Sequence, residues 1–534
     1  MSKRLAIISF IVLGSIIFAI AGFCLVLFLA PGLTVFGVKF IKHDMHKVWT
    51  QKYAILDTYD FKGASEFGGN LVIETSEVPV NIIYSQDFEY YFEYFDNYDG
   101  FTTSDIEDPS ISVTKDEATN SCVIKVDEYK KFIYESSSSE RYLNIYIPII
   151  DVSDGYYRTT DLTITTDSAP ITFSREKEGA RVVGHNKLTI NTKSGKVNYD
   201  INIHADYFNY KTNNSIKIYG DEHKDIFSTN YDLESKNGKI TIYNGVVGDV
   251  VAKTKNGDIS LKSCKNLIAE TEYGDIKSSE KDMKIEVRGI VNIKTKSGRV
   301  TLGKILGNGE NKIETGGGKV SVVSMKDGTV TTKRGSITID SVRSAKIKSN
   351  VGKVTVEEVL SNINVETKRG NIVLGGSGMT VKNPTVYSRI GRVDMKSASG
   401  VVRVETVNSN INFTNTDSTD IRIVCGKKLN ADRLTGSVYI SSQGNVELTF
   451  MNITDKATIE LGDKCYSAII YAENDTKEDT KYYFEGKSVQ RFEDNAVLDD
   501  DAVVKNEKND ALVTDAYISV IGKNAEILAY FKKP

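Results

Sequence analysis

Between Thr192 and Ile411 the polar and apolar positions keep returning in one short phrase: Thr or Ser, two polar residues, Gly, a polar residue, then Val or Ile. The glycine position is filled by Gly195, Gly238, Gly257, Gly274, Gly298, Gly318, Gly335, Gly352, Gly370 and Gly391, with Ser409 as a substitute. After a first gap of 43 residues, wide enough for two turns, successive spacings run from 17 to 24. A period near 20 residues marks a stacked architecture in which no single unit buries its apolar face alone.

Within a unit the small and apolar residues fall at fixed offsets. From Gly257 they are Ile259, Leu261, Cys264, Leu267, Ala269 and Thr271, and from Gly335 they are Ile337, Ile339, Val342, Ala345, Ile347 and Ser349. Steps of two are strand alternation, and the irregular steps between them are corners. The pattern predicts an all-β chain, a stacked β-solenoid with two short strands and two turns per coil, its strands ~4.8 Å apart. Asn237-Gly238, Asn256-Gly257 and Ser297-Gly298 suit the corner because Gly accepts a positive φ and Asn tolerates one. Three residues before each glycine stands a hydroxyl: Thr192, Ser235, Thr254, Thr271, Thr295, Thr315, Thr332, Ser349, Thr367, Ser388 and Thr406. These share parity with the apolar positions, which predicts an interior ladder of cross-strand hydroxyl pairs rather than an exposed template for ice or an ordered polymer.

Other stretches divide the 534 residues further. Leu5 to Ala30 is 26 residues without a charge, enough to cross a bilayer of ~30 Å, and residues 1–36 read as an uncleaved signal anchor. Lysines flank it on both sides; a large following domain favours an N-terminus in the cytoplasm and the rest outside the cell membrane. Residues 37–53, with Trp49 and several lysines, read as a juxtamembrane stalk. Residues 54–160 form an acidic, aromatic β-rich region in which Phe88, Tyr90, Phe92 and Tyr94 lie on one strand face, as core. Solenoid repeats span 161–450, and 451–534 form a C-terminal β cap with a polar loop over Thr476 to Ala511. Gly436-Ser437-Val438 and Gly444-Asn445-Val446, only eight apart, suggest a hairpin or altered coils.

Charge changes the picture through its distribution. Residues 54 to 160 hold 7 Lys or Arg against 21 Asp or Glu, whereas 291 to 396 hold 19 against 8. An excess of cations on one stretch fits an anionic polymer. The candidate interaction face is Lys294, Lys296, Arg299, Lys319, Lys333, Arg334, Lys353, Lys368, Arg369 and Arg392. It lacks the interleaved exposed aromatics of a single-stranded nucleic-acid platform, so nucleic acid is not an expected partner.

The search for chemistry yields little. Five scattered cysteines, Cys24, Cys122, Cys264, Cys425 and Cys465, form neither a disulfide framework nor a CxxC pair, and Cys264 fills a corner column as a buried small hydrophobe. His185, His204 and His223 lie 19 apart; stacked at one corner they would share a metal or sense pH, although the repeat spacing alone also explains them. Asp258 and Asp275 occupy one outer column, a geometry available to a polysaccharide-cleaving β-helix, but the same column holds Lys239, Arg299, Lys319, Lys353 and Arg392 elsewhere and reads as a charge ladder. No phosphate loop, dinucleotide-binding glycine pattern, HExxH helix or GxSxG elbow stands in a fitting context. No cofactor and no catalytic site are expected.

The phrases Thr254-Lys255-Asn256-Gly257-Asp258-Ile259, Thr295-Lys296-Ser297-Gly298-Arg299-Val300 and Thr367-Lys368-Arg369-Gly370-Asn371-Ile372, with Gly69-Asn70-Leu71-Val72-Ile73, carry a resemblance. Over roughly Gly68 to Phe450 the chain resembles the bacterial adhesin family of membrane-anchored β-solenoid surface proteins, a domain of unknown function. The resemblance implies an envelope-exposed solenoid and adhesion, with no catalytic residues to carry over. The expected function is therefore a surface interaction scaffold, touching the bilayer through Leu5 to Ala30 and a cell-surface polymer or protein through its strand faces. An envelope sensor and a polysaccharide-acting enzyme are the alternatives.

Overall fold

In a computed structural model of the chain, the described residues are 13, 15–20, 34–35, 38–39, 41–52, 69–85, 90–102, 110–116, 118–119, 121–127, 134–135, 140–151, 157–176, 182–219, 226–451, 453–472, 481–493, 496–497 and 517–531. Apart from helical residues 13 and 15–20, every regular element among them is a β-strand. Two compact units result, one of Met1–Asn214 with Ile218–Asp232 and one of Ser215–Lys217 with Leu233–Pro534.

In the first unit, stacking begins earlier than the phrase does. Strand Asp161–Thr166 lies parallel and in register on Asn70–Glu74, with Leu162 beside Leu71 and Ile164 beside Ile73. Ile171–Arg175 lies likewise on Val80–Ser85. The first rung is thus Asn70 to Ser85 rather than a rung at Asp161, because its alternating Leu71, Ile73, Val80 and Ile82 supply the same buried pattern without the phrase. Ser121–Asp127 and Glu140–Pro148 pair in parallel with the other side of this rung. Tyr91–Thr102 then runs antiparallel along Glu140–Pro148, burying Phe92 and Tyr94 as core residues, with Tyr90 buried just before the strand; Phe88 lies outside the described residues. The stretch read as a stalk contains strand Ile41–Lys52, which pairs antiparallel with Tyr91–Thr102 and so belongs to this sheet.

The second unit follows the template. One inward column runs Ile259, Ile276, Val300, Val320, Ile337, Val354, Ile372, Val393 and Ile411, each in register with the next. A second runs Ala269, Ile293, Ile313, Val330, Ile347, Val365, Val386 and Val404. Both columns are buried throughout. Each Val or Ile so placed gains roughly 1.5–3 kcal/mol from leaving water, only because a neighbouring coil covers it.

Strands per coil vary: the coil from Ile259 to Thr271 has two, and the next has three, Ile276–Lys277, Ile285–Val287 and Val291–Thr295. Val320–Thr332, Ile337–Ser349 and Val354–Thr367 are single strands running through the position predicted as a corner. A register shift between Val342 and Ser344 takes up the bend, as a bulge does, so no separate turn is needed. Farther on, Leu429–Leu434, Ser437–Ser442 and Val446–Phe450 pair in parallel with neighbouring coils, which makes them altered coils and not a hairpin. Within the predicted polar loop, Lys481–Glu493 is instead a strand, parallel to Tyr517–Tyr530, its alternating Tyr482, Phe484 and Val489 suiting a sheet. Tyr517–Tyr530 also covers Lys456–Leu461 and Ser467–Ala472, as a cap should.

The corner glycines have a different cause from the one expected. Positive φ occurs at Gly69, Gly375, Gly378, Gly400 and Gly436, none of them in the corner column. What the column requires is close approach: a Cβ on Gly274, Gly318 or Gly335 would stand 1.7 Å from the carbonyl oxygen of the corner glycine one rung before. The hydroxyl column is buried as predicted, yet it mostly closes the turn rather than bonding across rungs. Gly318 N–H donates to Thr315 Oγ1 at 2.9 Å, and Thr367 Oγ1 donates to Gly370 O at 2.8 Å. Hydroxyl pairs between rungs occur at Thr332 with Ser349 and at Thr367 with Ser388, each 3.2 Å. Replacing Thr367 by the isosteric Val strands buried polar groups, and we expect a loss of about 1–3 kcal/mol in thermal melting, with Thr367→Ser retaining most of it.

At the N-terminus, residues 15–20 are helical and exposed. Among the described residues no helix is long and apolar enough to cross a membrane. Most of Leu5 to Ala30 lies outside them.

Candidate functional site

Around each corner glycine, the two positions before it and the one after it face solvent. The stacking of coils turns these three positions into columns, and nine of the ten cations of the candidate face stand in them; Lys294 stands on a strand face instead. All ten are exposed.

The acids of the same columns divide the set. Lys294 belongs to a strand-face column of alternating sign, Lys253, Glu270, Lys294 and Glu314, and its Nζ lies 3.7 Å from Glu270. Lys296 meets Glu272 at 2.9 Å; the hydrogen bond and the attraction raise the lysine pKa and hold the Glu272 carboxyl below its usual value. Arg299 forks onto Asp275 Oδ2 through Nε at 3.1 Å and Nη2 at 3.0 Å. Arg392 meets Asp394 at 2.7 Å. These four are engaged within the protein, which removes them from an open basic face.

Lys319, Lys333, Arg334, Lys353, Lys368 and Arg369 differ. Among the described residues none of the six has a carboxylate at ion-pair distance. The reason is in the columns themselves: acids stand there at Asp258, Glu272 and Asp275, and from Gly318 to Gly391 there are none. Arg389, two residues before Gly391, extends the row and escaped sequence reasoning because its coil ends in Arg-Ile-Gly, away from the Lys-Arg-Gly wording of its neighbours. Every coil from Gly318 to Gly391 carries at least one cation in these columns, with rungs ~4.8 Å apart, although within a single column the cations recur at about every second rung.

The acidic pair considered for catalysis is part of the ladder. Burial pushes the Asp258 carboxyl up, but hydrogen bonds from Asp275 N–H at 2.9 Å and Lys277 at 3.1 Å, with the Lys239 charge, outweigh it and leave the pKa lowered. Asp275 Oδ1 accepts the Arg299 N–H at 2.8 Å.

The histidines do not stack. Gly184 is in register with His204 and His185 with Ala205, so strand alternation sends the two rings to opposite faces; His223 lies outside the described residues. His185 is buried, with Nδ1 2.6 Å from Thr160 O and Nε2 2.8 Å from the Tyr84 hydroxyl. A carbonyl only accepts, so Nδ1 carries the proton and Nε2 receives the Tyr84 O–H. Desolvation lowers the His185 pKa to about 4 and raises that of Tyr84 well above its ordinary value. Cys264 is buried as expected, and burial pushes its thiol up to about 12. Among the described residues no three His, Cys, Asp or Glu side chains gather as a metal would require.

Residues 69–312 match the Toastrack DUF4097 family model, a domain of unknown function. That span is a Toastrack β-solenoid, in keeping with the likeness drawn from the repeat phrases, and the match carries no adhesin assignment. The acid-free row that starts at Lys319 lies beyond it. No curated protein matches the chain, and no solved structure does.

Proposed function

We propose that the chain is a non-catalytic scaffold of the cell envelope, held to the membrane by Leu5 to Ala30 with its solenoid outside the cytoplasm, and that it takes an anionic partner along the turn edge from Lys319 to Arg389. Adhesion to an anionic surface is the cellular role this reading assigns. One observation carries it: seven exposed cations, Arg389 included, recur on successive coils and, among the described residues, lack the carboxylates that neutralise the preceding coils. Exposed cations in such a row repel one another and raise the local potential, an arrangement that an extended anion relieves.

The reading predicts a steep response to salt and charge. Binding of the full chain to immobilised polyphosphate should weaken by at least tenfold in Lys353→Glu/Arg369→Glu and by less than twofold in Lys296→Glu, whose charge Glu272 already offsets. Equal losses in the two variants, or binding indifferent to salt, would overturn it. Protease accessibility on intact cells tests the side of the membrane.

A further inference from the structure

We propose that the turn edge from Gly335 to Gly391 seats on an anionic lipid bilayer surface, its cations meeting headgroup phosphates while aliphatic side chains at the turn tips enter the interface between them. This rests on the reading of the edge as anion-binding and adds what bears the anions.

Immediately before the corner glycine, successive coils carry Arg334, Val351, Arg369 and Ile390. Cation and aliphatic alternate, so that with rungs ~4.8 Å apart a cation recurs every ~10 Å with a branched methyl tip between. Val351 and Ile390 are each 50% exposed, whereas the aliphatic residues of the inward columns on the same coils are buried. Stacking does not ask for an aliphatic there, since the same position holds Asn256, Tyr273, Ser297 and Gly317 in earlier coils. Lys333 and Lys368 flank the column, without a carboxylate partner among the described residues.

The two halves of the pattern select the partner together. A water-soluble polyanion satisfies the cations but leaves Val351 and Ile390 against polar groups, where dehydrating them gains nothing. A bilayer interface supplies both environments within a few ångströms of depth: phosphate at the level of the Arg and Lys ends, and acyl chains just beneath for the aliphatic tips. Arginine and lysine stems contribute as well, lying along the apolar boundary with their charged ends in the phosphate layer.

The test uses the full chain assembled in nanodiscs of phosphatidylcholine, so that its apolar N-terminal segment is housed in lipid already. Co-sedimentation is then measured with vesicles of phosphatidylcholine alone or with phosphatidylglycerol at about a third, alongside binding to inorganic polyphosphate. We expect capture by the phosphatidylglycerol vesicles only, weakened about tenfold or more in Val351→Ser/Ile390→Ser, while polyphosphate binding of that variant stays within twofold of the wild type. Polyphosphate binding without vesicle capture would overturn the bilayer assignment and leave the anion-binding edge standing. So would vesicle capture that ignores the serine substitutions. Absence of binding to either probe would remove the edge reading and this proposal with it. Both substitutions lie at exposed positions, and circular dichroism of the variant is recorded alongside to check that its fold is intact.

Discussion

Replacing Gly335 with alanine is expected to destabilise the second unit by more than about 3 kcal/mol, while the same change at Gly317, one position outside the corner column, leaves stability unchanged or slightly raised. The contrast isolates one cause. A Cβ at position 335 would lie 1.7 Å from Gly318 O and 2.6 Å from Gly318 C, and both are backbone atoms with no rotamer to escape into. At position 317 the nearest atoms would be 3.8 Å away. Neither glycine has a positive φ, so the backbone conformation itself costs alanine nothing at either site. To admit the methyl group at 335, two rungs must separate, and separating them breaks the parallel hydrogen bonds between Val320–Thr332 and Ile337–Ser349. Thermal melting by circular dichroism, with amide exchange of those two strands, measures the effect. Similar melting of the two variants would show that rung contact at the glycine column does not set stability.

The second large effect is a pH dependence in the first unit. The His185 pKa falls from 6.5 in the unfolded chain to about 4 in the folded one, chiefly through desolvation, with repulsion from His204 adding to it and the Thr160 carbonyl opposing it. Between these values the unfolded chain holds a proton that the folded chain refuses, so stability rises with pH across the window. The contribution is complete above about pH 6.5, drains away as the pH falls towards 4, and does not change further below that. Its size is on the order of 3 kcal/mol, with a slope approaching about 1.4 kcal/mol per pH unit in mid-window. His185→Gln keeps a polar side chain without the titration, so its stability profile between pH 6.5 and 4 should be flatter than the wild type by that slope. Carboxylates titrate in both proteins and cancel in the difference. Parallel profiles would mean that the imidazole accepts a proton without leaving its place beside Tyr84 and Thr160.

Much of this architecture was readable from spacing alone. The offsets counted from Gly257 and Gly335 picked out Ile259 and Ile337 as members of one interior column, and the register of the strands joins them. The hydroxyl column was placed inside for the right reason, its parity with the apolar residues. What periodicity could not convey was the partner of each group: that Thr315 binds the N–H of its own turn, or that Gly335 is set by an oxygen on the rung before. Those are contacts between residues whose identities repeat, so the pattern looks the same whichever partner is chosen. The first rung at Asn70 was missed because it carries the alternation without the corner phrase. In the charged row the sequence showed the cations but not their pairing. Lys296 and Lys333 occupy equivalent positions in the same wording, Thr-Lys-x-Gly, and differ only in whether an acid stands one rung before: Glu272 before Lys296, Gly316 before Lys333.

Because rung spacing in the second unit is dictated by the backbone, the interval between successive turn positions is a constant, and substitution alters only which sign, or which blank, stands at each. An extended anion of the kind proposed would therefore meet a ruler with fixed graduations. Its avidity would grow by whole increments as repeats are added in frame and shrink by whole increments as they are removed, whereas lengthening a single turn would throw every later mark out of alignment.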